Sequence, residues 1–403
     1  MAKFDEYFLM KCEDAKEYAL AKLDIFEPGA KLEAKEIGDG NLNYVFKVTE
    51  PATGKSVIIK QAGESLRISA DMHVSTDRNR IESEILILQD KFAPGTVPKI
   101  YMYDTVMSAC AMEDLSDHQL MRYALMEHKI FPHFAEDIST YMVNTLLKTT
   151  DVCMEHKEKK GLVKSFINPE LCEITEDLVL TEPYNDCAKR NLVFAPNAGF
   201  VKKELYDDAA LKLEVAKLKF EFMNNAQALI HGDLHTGSIF INDKDTRVFD
   251  PEFAFFGPMG YDIGNVVANM YFAYDSGIAA GDTAFSDWCV KATEKTLDLF
   301  CEKYMKVFDE CVTDLMAKTP GFKEYYLDTI IRDTAAFAGT ELIRRTVGMA
   351  QVKDVTTIAD EKKRAYAERV NILAGKNMIM NRESFKTGAD FTAALMKAAK
   401  AAE

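Results

Sequence analysis

The stretch His231–Glu252, HGDLHTGSIFINDKDTRVFDPE, constrains this chain more than any other. Ser238–Ile241 is a run of strand formers, and 242–245 (NDKD) has turn chemistry. Arg247–Phe249 reads as a second strand, and Asp250-Pro251-Glu252 follows as a loop. The pattern predicts a hairpin with Asp233 at its entry and Asp250 and Glu252 at its exit. Three carboxylates would then lie side by side, which costs energy unless a cation or a charged substrate compensates.

Such a cluster suits phosphoryl transfer. One carboxylate orients an attacking hydroxyl and accepts its proton, while others hold Mg²⁺ on the phosphates of ATP, because Mg²⁺ prefers hard oxygen ligands. The protein-kinase pattern has a catalytic Asp, an Asn five residues on, and a metal-binding Asp further along. Here Asp233 fits the first role and Asp250 the last, while the intermediate position holds Ser238. A hydroxyl is a weaker metal ligand than an amide carbonyl, so Glu252 is expected to join Asp250 in holding the metal.

The preceding sequence reads as a helix over 5–23 and then three strands between Lys35 and Gln61, with a Gly38-Asp39-Gly40 turn that could lie over phosphates. Lys60 ends an apolar strand, where a lysine is out of pattern; in kinases that position contacts the α- and β-phosphates. A helix is predicted over 75–93. Ile81, Ile85 and Leu88 mark its apolar stripe, and Glu84 shares that stripe whereas Glu82 does not, so Glu84 is the expected partner of Lys60. Two further strands, 99–103 and 108–112, lead to Glu113-Asp114-Leu115, where a lobe boundary is expected, giving units 1–115 and 116–403. Beyond it, 117–160 reads as helical, 163–199 as an irregular connection, 211–229 as a helix and 266–373 as helical throughout. Asp262 suits a helix N-cap. Arg344 and Arg345 stand at a helix C-terminus, where cations are favourable in any case.

Bulk properties narrow the class. With 49 basic and 64 acidic residues the net charge is −15, which argues against a nucleic-acid binder. No apolar run approaches membrane-spanning length, and the charged first residues do not read as a signal peptide. The eight cysteines form no CxxC or zinc-type spacing, so reduced thiols in a cytoplasmic protein are expected. Without HRD and APE elements a protein kinase is disfavoured.

HGDLHTGS, the downstream DPEFAFFGPMGYDIG and the IRRTVG after FAG together resemble the methylthioribose kinase family, in the aminoglycoside-phosphotransferase-like branch of the protein-kinase fold. The resemblance runs from about Gly38 to Val352. It implies an α+β, two-lobed, kinase-like fold with a small β-rich N-terminal lobe and a large helical C-terminal lobe. It also implies phosphorylation of 5-methylthioribose at its anomeric hydroxyl by ATP with Mg²⁺, in methionine salvage, by a homodimer. By the same resemblance Asn43, Lys60, Pro251 and the Glu113–Leu115 hinge contact ATP. Asp262 braces the catalytic loop, and Arg344 and then Arg345 reach the sugar and the transferring group. The segment 62–74 departs from the family, with Ala70-Asp71-Met72-His73 and no tryptophan. Two other readings stand beside this one: a kinase of the same branch acting on choline, homoserine or an aminoglycoside, and a catalytically silent nucleotide-binding scaffold. The twin arginine counts against a cationic substrate such as choline.

Overall fold

The computed structural model describes residues 3–37, 43–63, 65–66, 69–73 and 75–403, so the Gly38–Gly40 turn lies outside the described residues. The chain divides into two units. The first is Met1–His118 with Arg247–Ala254; the second is Gln119–Thr246 with Phe255–Glu403.

The first unit is built on strands β1 (Glu33–Ile37), β2 (Asn43–Thr49), β3 (Ser56–Ala62), β4 (Ser65–Leu66), β5 (Ser69–His73), β6 (Ile100–Asp104) and β7 (Ala109–Met112). Five of them form an antiparallel sheet in the order β1-β2-β3-β7-β6, while β4 and β5 pair separately. Side chains alternate across a sheet. Phe46, Val48, Val57, Ile59, Ala109 and Ala111 are buried on one face, in a core shared with Ala15, Tyr18 and Ala19 of the helix Cys12–Lys22. Burying each large apolar side chain contributes about 1.5–3 kcal/mol. Lys60 follows Ile59 in β3 and therefore points to the other face, where the helix Arg78–Phe92 packs. Asn79 of that helix donates to the Lys60 and Ser108 carbonyls at 2.8 Å, fixing the helix on the strands.

The N-terminal helix is shorter than the sequence predicts. Met10 N–H donates to Gln61 Oε1, and Gln61 Nε2 donates to the Phe8 carbonyl, both at 2.9 Å, which holds 8–10 extended against β3. Only from Cys12, with Lys11 N–H bonded to Asp14 Oδ2, does the helix begin.

In the second unit, β8 (Gln119–Leu120) pairs with β10 (Ile239–Ile241), and β9 (Ala228–Ile230) pairs with β12 (Phe255–Gly257); β11 (Thr246–Val248) carries the chain back to the first unit. Three long helices, Met259–Ala280, Phe322–Val347 and Glu361–Met380, form its centre. Their approach depends on missing side chains. A Cβ on Gly260 would lie 2.5 Å from Thr334 N and one on Gly264 2.5 Å from Ala338 N, both backbone atoms that cannot yield cheaply. The 163–199 connection is more regular than expected, with helices Pro169–Leu178 and Glu182–Asn185. The helix predicted over 211–229 runs Ala209–Asn224 and gives way to β9. The expectation of eight reduced thiols is corrected. Cys153 and Cys311 are bonded as a disulfide across 158 residues of sequence, a pairing that only the tertiary fold creates. No helix among the described residues is long and apolar enough to cross a membrane.

Candidate active site

The first unit gathers acids around one lysine. Lys60 is 8% exposed, and its Nζ is hydrogen-bonded to Asp250 Oδ1 and lies 2.7 Å from Glu82 Oε2. Burial opposes the lysine's charge, but Asp250, Glu82 and Glu252 outweigh it and hold the proton. The expected partner was Glu84, and this is corrected. Glu84 is 42% exposed and pairs with Arg80 at 2.7 Å, whereas Glu82 is fully enclosed. The buried arc of the helix keeps Ile81 and Ile85 of the expected stripe but also takes in polar Arg78, Asn79 and Glu82, while Glu84 and Leu88 are only partly buried.

The segment 247–254 supplies the other acids. Val248 N–H donates to the Thr96 carbonyl at 2.8 Å, which anchors it, and Ala254 N–H closes a turn on the Pro251 carbonyl at 3.1 Å. Asp250 takes a left-handed backbone with φ 66°, an arrangement that costs about 1 kcal/mol or more for a residue with a side chain and is concentrated at functional sites. Glu252 accepts from Asn43 Nδ2 at 2.9 Å, and Arg78 Nε donates to Asn43 Oδ1 at 3.2 Å. Burial, then the charge of Asp250, pushes the Glu252 carboxyl up to about 8, and burial is also the main reason that Glu82 stands at about 7. Three carboxyl groups thus crowd round two cations, Lys60 and Arg78, and the raised proton affinity of Glu82 and Glu252 marks a place short of positive charge. A divalent cation would supply that charge in place of the protons. Among the described residues no three or more His, Cys, Asp or Glu side chains form a metal cage, and Mg²⁺ needs none, since one or two carboxylates with phosphate oxygens and water suffice.

At the expected hinge, Asp114 is committed elsewhere: its carboxylate takes Lys47 at 2.7 Å, the Ser56 hydroxyl at 2.6 Å and the Ser116 hydroxyl. Glu113 N–H donates to the Lys99 carbonyl at 2.8 Å, and Leu115 is 7% exposed.

The second unit holds Asp233 on a loop fixed from beneath. Asp262 accepts His231 N–H at 2.7 Å and Gly232 N–H at 3.0 Å. Gly232 has φ 82°, which only glycine adopts freely. Asp262 is therefore the brace that the family resemblance implies, but it is not an N-cap; Pro258 occupies that position and Asp262 lies in the first turn. Ser238 turns inward too, its hydroxyl donating to the Asp233 carbonyl at 3.1 Å.

The Asp233 side chain, 26% exposed, receives Arg344 Nη2 at 3.3 Å and Arg345 Nη2 at 3.4 Å on Oδ1. His235 Nε2 is 3.2 Å from Oδ2. Gly237 N–H donates to His235 Nδ1 at 2.9 Å, so the ring proton sits on Nε2 and points at Asp233. Burial disfavours the Asp233 charge, yet His235, Arg345 and Arg344 overcome it and hold the carboxyl well below its usual range. Burial pushes His235 down to about 4 despite Asp233, so the ring is neutral at pH 7.

The twin arginine is aimed by a residue that the sequence did not single out. Glu341, wholly buried, accepts from Arg344 Nε and from Arg345 Nε at 3.0 Å, leaving their Nη2 groups for Asp233. It lies three and four residues before the arginines on the same helix face, a spacing that could have revealed it. Arg78, Glu82 and His235 were likewise not assigned roles from sequence.

Residues 188–299 match the model of the phosphotransferase enzyme family. The structure is similar to that of a choline kinase from Cryptosporidium parvum, with a TM-score of 0.51 and 12% identity over 91% of this chain and 95% of that one, a likeness of fold. It is the α+β, kinase-like, aminoglycoside-phosphotransferase-like fold, with a small sheet-bearing N-terminal lobe and a mostly helical remainder. In sequence the chain is 39% identical to a methylthioribose kinase of Geobacillus over 91% of this chain and 90% of the relative. It is 36% identical to that of Yersinia pseudotuberculosis, with 93% of each covered, and 34% identical to that of Bacillus pumilus, with 94% of each covered. This chain is a member of the methylthioribose kinase family.

Proposed function

We propose that this protein transfers the γ-phosphoryl group of ATP to the anomeric hydroxyl of 5-methylthioribose, giving 5-methylthioribose 1-phosphate and ADP. The observation that carries the reading is the Asp233 carboxylate ringed by two arginines and a histidine, in a chain 39% identical to a methylthioribose kinase.

Asp233 accepts a hydrogen bond from the attacking hydroxyl and fixes its direction. A carboxylate held so firmly ionised is a weak proton acceptor. Its work is therefore orientation, and it takes the proton only as the new O–P bond forms and the bond to ADP breaks. Arg344 and Arg345 meet charge that develops on the transferring group; their forked donors suit both sugar hydroxyls and phosphoryl oxygens. Lys60, held by Glu82, positions the phosphate tail. Asn43 acts with Glu252, and backbone groups of Glu113 to Leu115 seat adenine. Asp250 and Glu252, joined by Pro251, would hold Mg²⁺. That ion, when bound, offsets the charge of the β- and γ-phosphates. On this reading the enzyme serves methionine salvage in the cytoplasm, as a homodimer.

The test is ADP release from ATP and Mg²⁺ with 5-methylthioribose, choline, homoserine and an aminoglycoside in parallel. Turnover with methylthioribose alone is expected. Preference for another acceptor would replace the substrate, and nucleotide binding without any turnover would favour the scaffold reading.

A further inference from the structure

A third arginine stands in the second unit. Arg122 belongs to the short helix Met121–Met126. Its Nε is shut away from solvent and has no hydrogen-bond partner. Among the described residues the guanidinium makes one hydrogen bond, from Nη2 to Asn269 Oδ1 at a long 3.4 Å, and no direct ion pair. Asn269 in turn accepts from the Thr236 hydroxyl at 3.2 Å and donates to Glu341 at 3.4 Å, so Arg122 is tied to the support of the twin arginine. Its other end lies against the catalytic loop: a Cβ on Gly237 would come within 3.0 Å of Arg122 Nη1, as well as striking the His235 ring.

A guanidinium has five N–H donors, and leaving one unmet where solvent cannot reach it, as Nε of Arg122 is, is costly. Arg122 feels that cost. Burial, and after it Arg345, weakens its hold on its proton, while Asp354, Asp233 and Glu341 act the other way from a distance. Its charge thus has longer-range compensation, whereas its directional donors do not. A neutral oxygen acceptor is what the position lacks.

We infer that Arg122 is a substrate-contacting residue, whose spare Nη–H donors, beside the Asp233 loop, take ring hydroxyls of the sugar that Asp233 orients. This rests on the proposed function. It assigns to Arg122 the recognition of a polyol, as distinct from the transferring phosphoryl group.

Calorimetric titration of 5-methylthioribose into the full-length protein, wild type, Arg122→Met and Arg122→Lys, tests it, with ADP titrated as control. Methionine keeps the apolar stem and removes every donor. The sugar should bind about ten- to a hundredfold more weakly to Arg122→Met, and with an intermediate loss to Arg122→Lys, while ADP affinity stays within about twofold. Analogues lacking one ring hydroxyl should lose affinity for the wild type and lose less for Arg122→Met. Should Arg122→Met fail to fold by its melting temperature, Arg122→Lys decides. Wild-type sugar affinity in the folded variants would overturn the role of Arg122 and leave the proposed function intact. A wild type that binds ADP but no methylthioribose would remove both.

Discussion

Substituting Glu341 by glutamine is the most informative single change in the second unit. Glu341 is fully buried, and its two oxygens accept from Arg344 Nε and Arg345 Nε. Burial resists its charge, but the arginines win and keep the carboxyl below its ordinary range, so the ionised form is the one that fits. Glutamine has the same shape but one acceptor oxygen, and its amide nitrogen would meet the second arginine donor to donor. A buried charged hydrogen bond contributes about 1.5–3 kcal/mol, and removing one partner of a buried ion pair costs about 3–5 kcal/mol. Asp233 still faces both arginines, so the lower end, about 3 kcal/mol, is expected. For a unit of more than 250 residues that is a fall of roughly 5 °C in melting temperature. The misdirected Nη2 groups should also lower kcat/KM for the sugar by about a hundredfold, or roughly 2.7 kcal/mol. Scanning calorimetry and a coupled ADP assay read the two effects, and ADP affinity should not change, since the proposed nucleotide contacts belong to the first unit. Melting within about 2 °C of wild type with an unaltered sugar KM would refute the clamp.

The corrected lysine partner can be checked by a pair of variants. Glu82→Gln should reduce kcat/KM for ATP by about tenfold or more, while Glu84→Gln, which removes only an exposed helix pair, should stay within about twofold. His235 gives a pH signature. Its proton affinity is pushed from 6.5 to about 4, so below pH 6.5 the unfolded chain takes up a proton that the folded chain refuses, and stability falls as the pH drops towards 4. The linkage amounts to about 2 kcal/mol at pH 5, and His235→Gln should lose less melting temperature than wild type between pH 7 and pH 5. Gly264→Ala places a Cβ 2.5 Å from Ala338 N and should cost about 1–3 kcal/mol or more in thermal unfolding.

Asp233 and Lys60 were legible in the sequence because each breaks a local rule, acids crowded at turns and a lysine in an apolar strand, whereas Arg344 and Arg345, at a helix C-terminus where cations are favourable in any case, were singled out only by the family resemblance. Glu82 was not, because a stripe drawn through apolar residues alone cannot show that Arg78 and Asn79 are buried with it, at 2% and 0% exposure. Glu341, His235 and Arg122 were hidden for a related reason. Their burial exists only once distant elements meet, and in sequence a buried ion pair looks like surface charge. Asp262 illustrates a half-legible residue: its bracing of the loop was implied, but its helix begins at Met259, one turn earlier than an N-cap would place it. The Cys153–Cys311 bond, spanning 158 residues, had no local signature at all.

The role of Asp233 is tested most directly by identifying the product. Wild type and Asp233→Asn are incubated with ATP, Mg²⁺ and 5-methylthioribose, and the phosphorylated position is read by phosphorus and carbon NMR. The phosphate should appear on the anomeric carbon, with the variant slower by about a thousandfold. A phosphate on another oxygen, or an Asp233→Asn enzyme within about tenfold of wild type, would contradict the assignment.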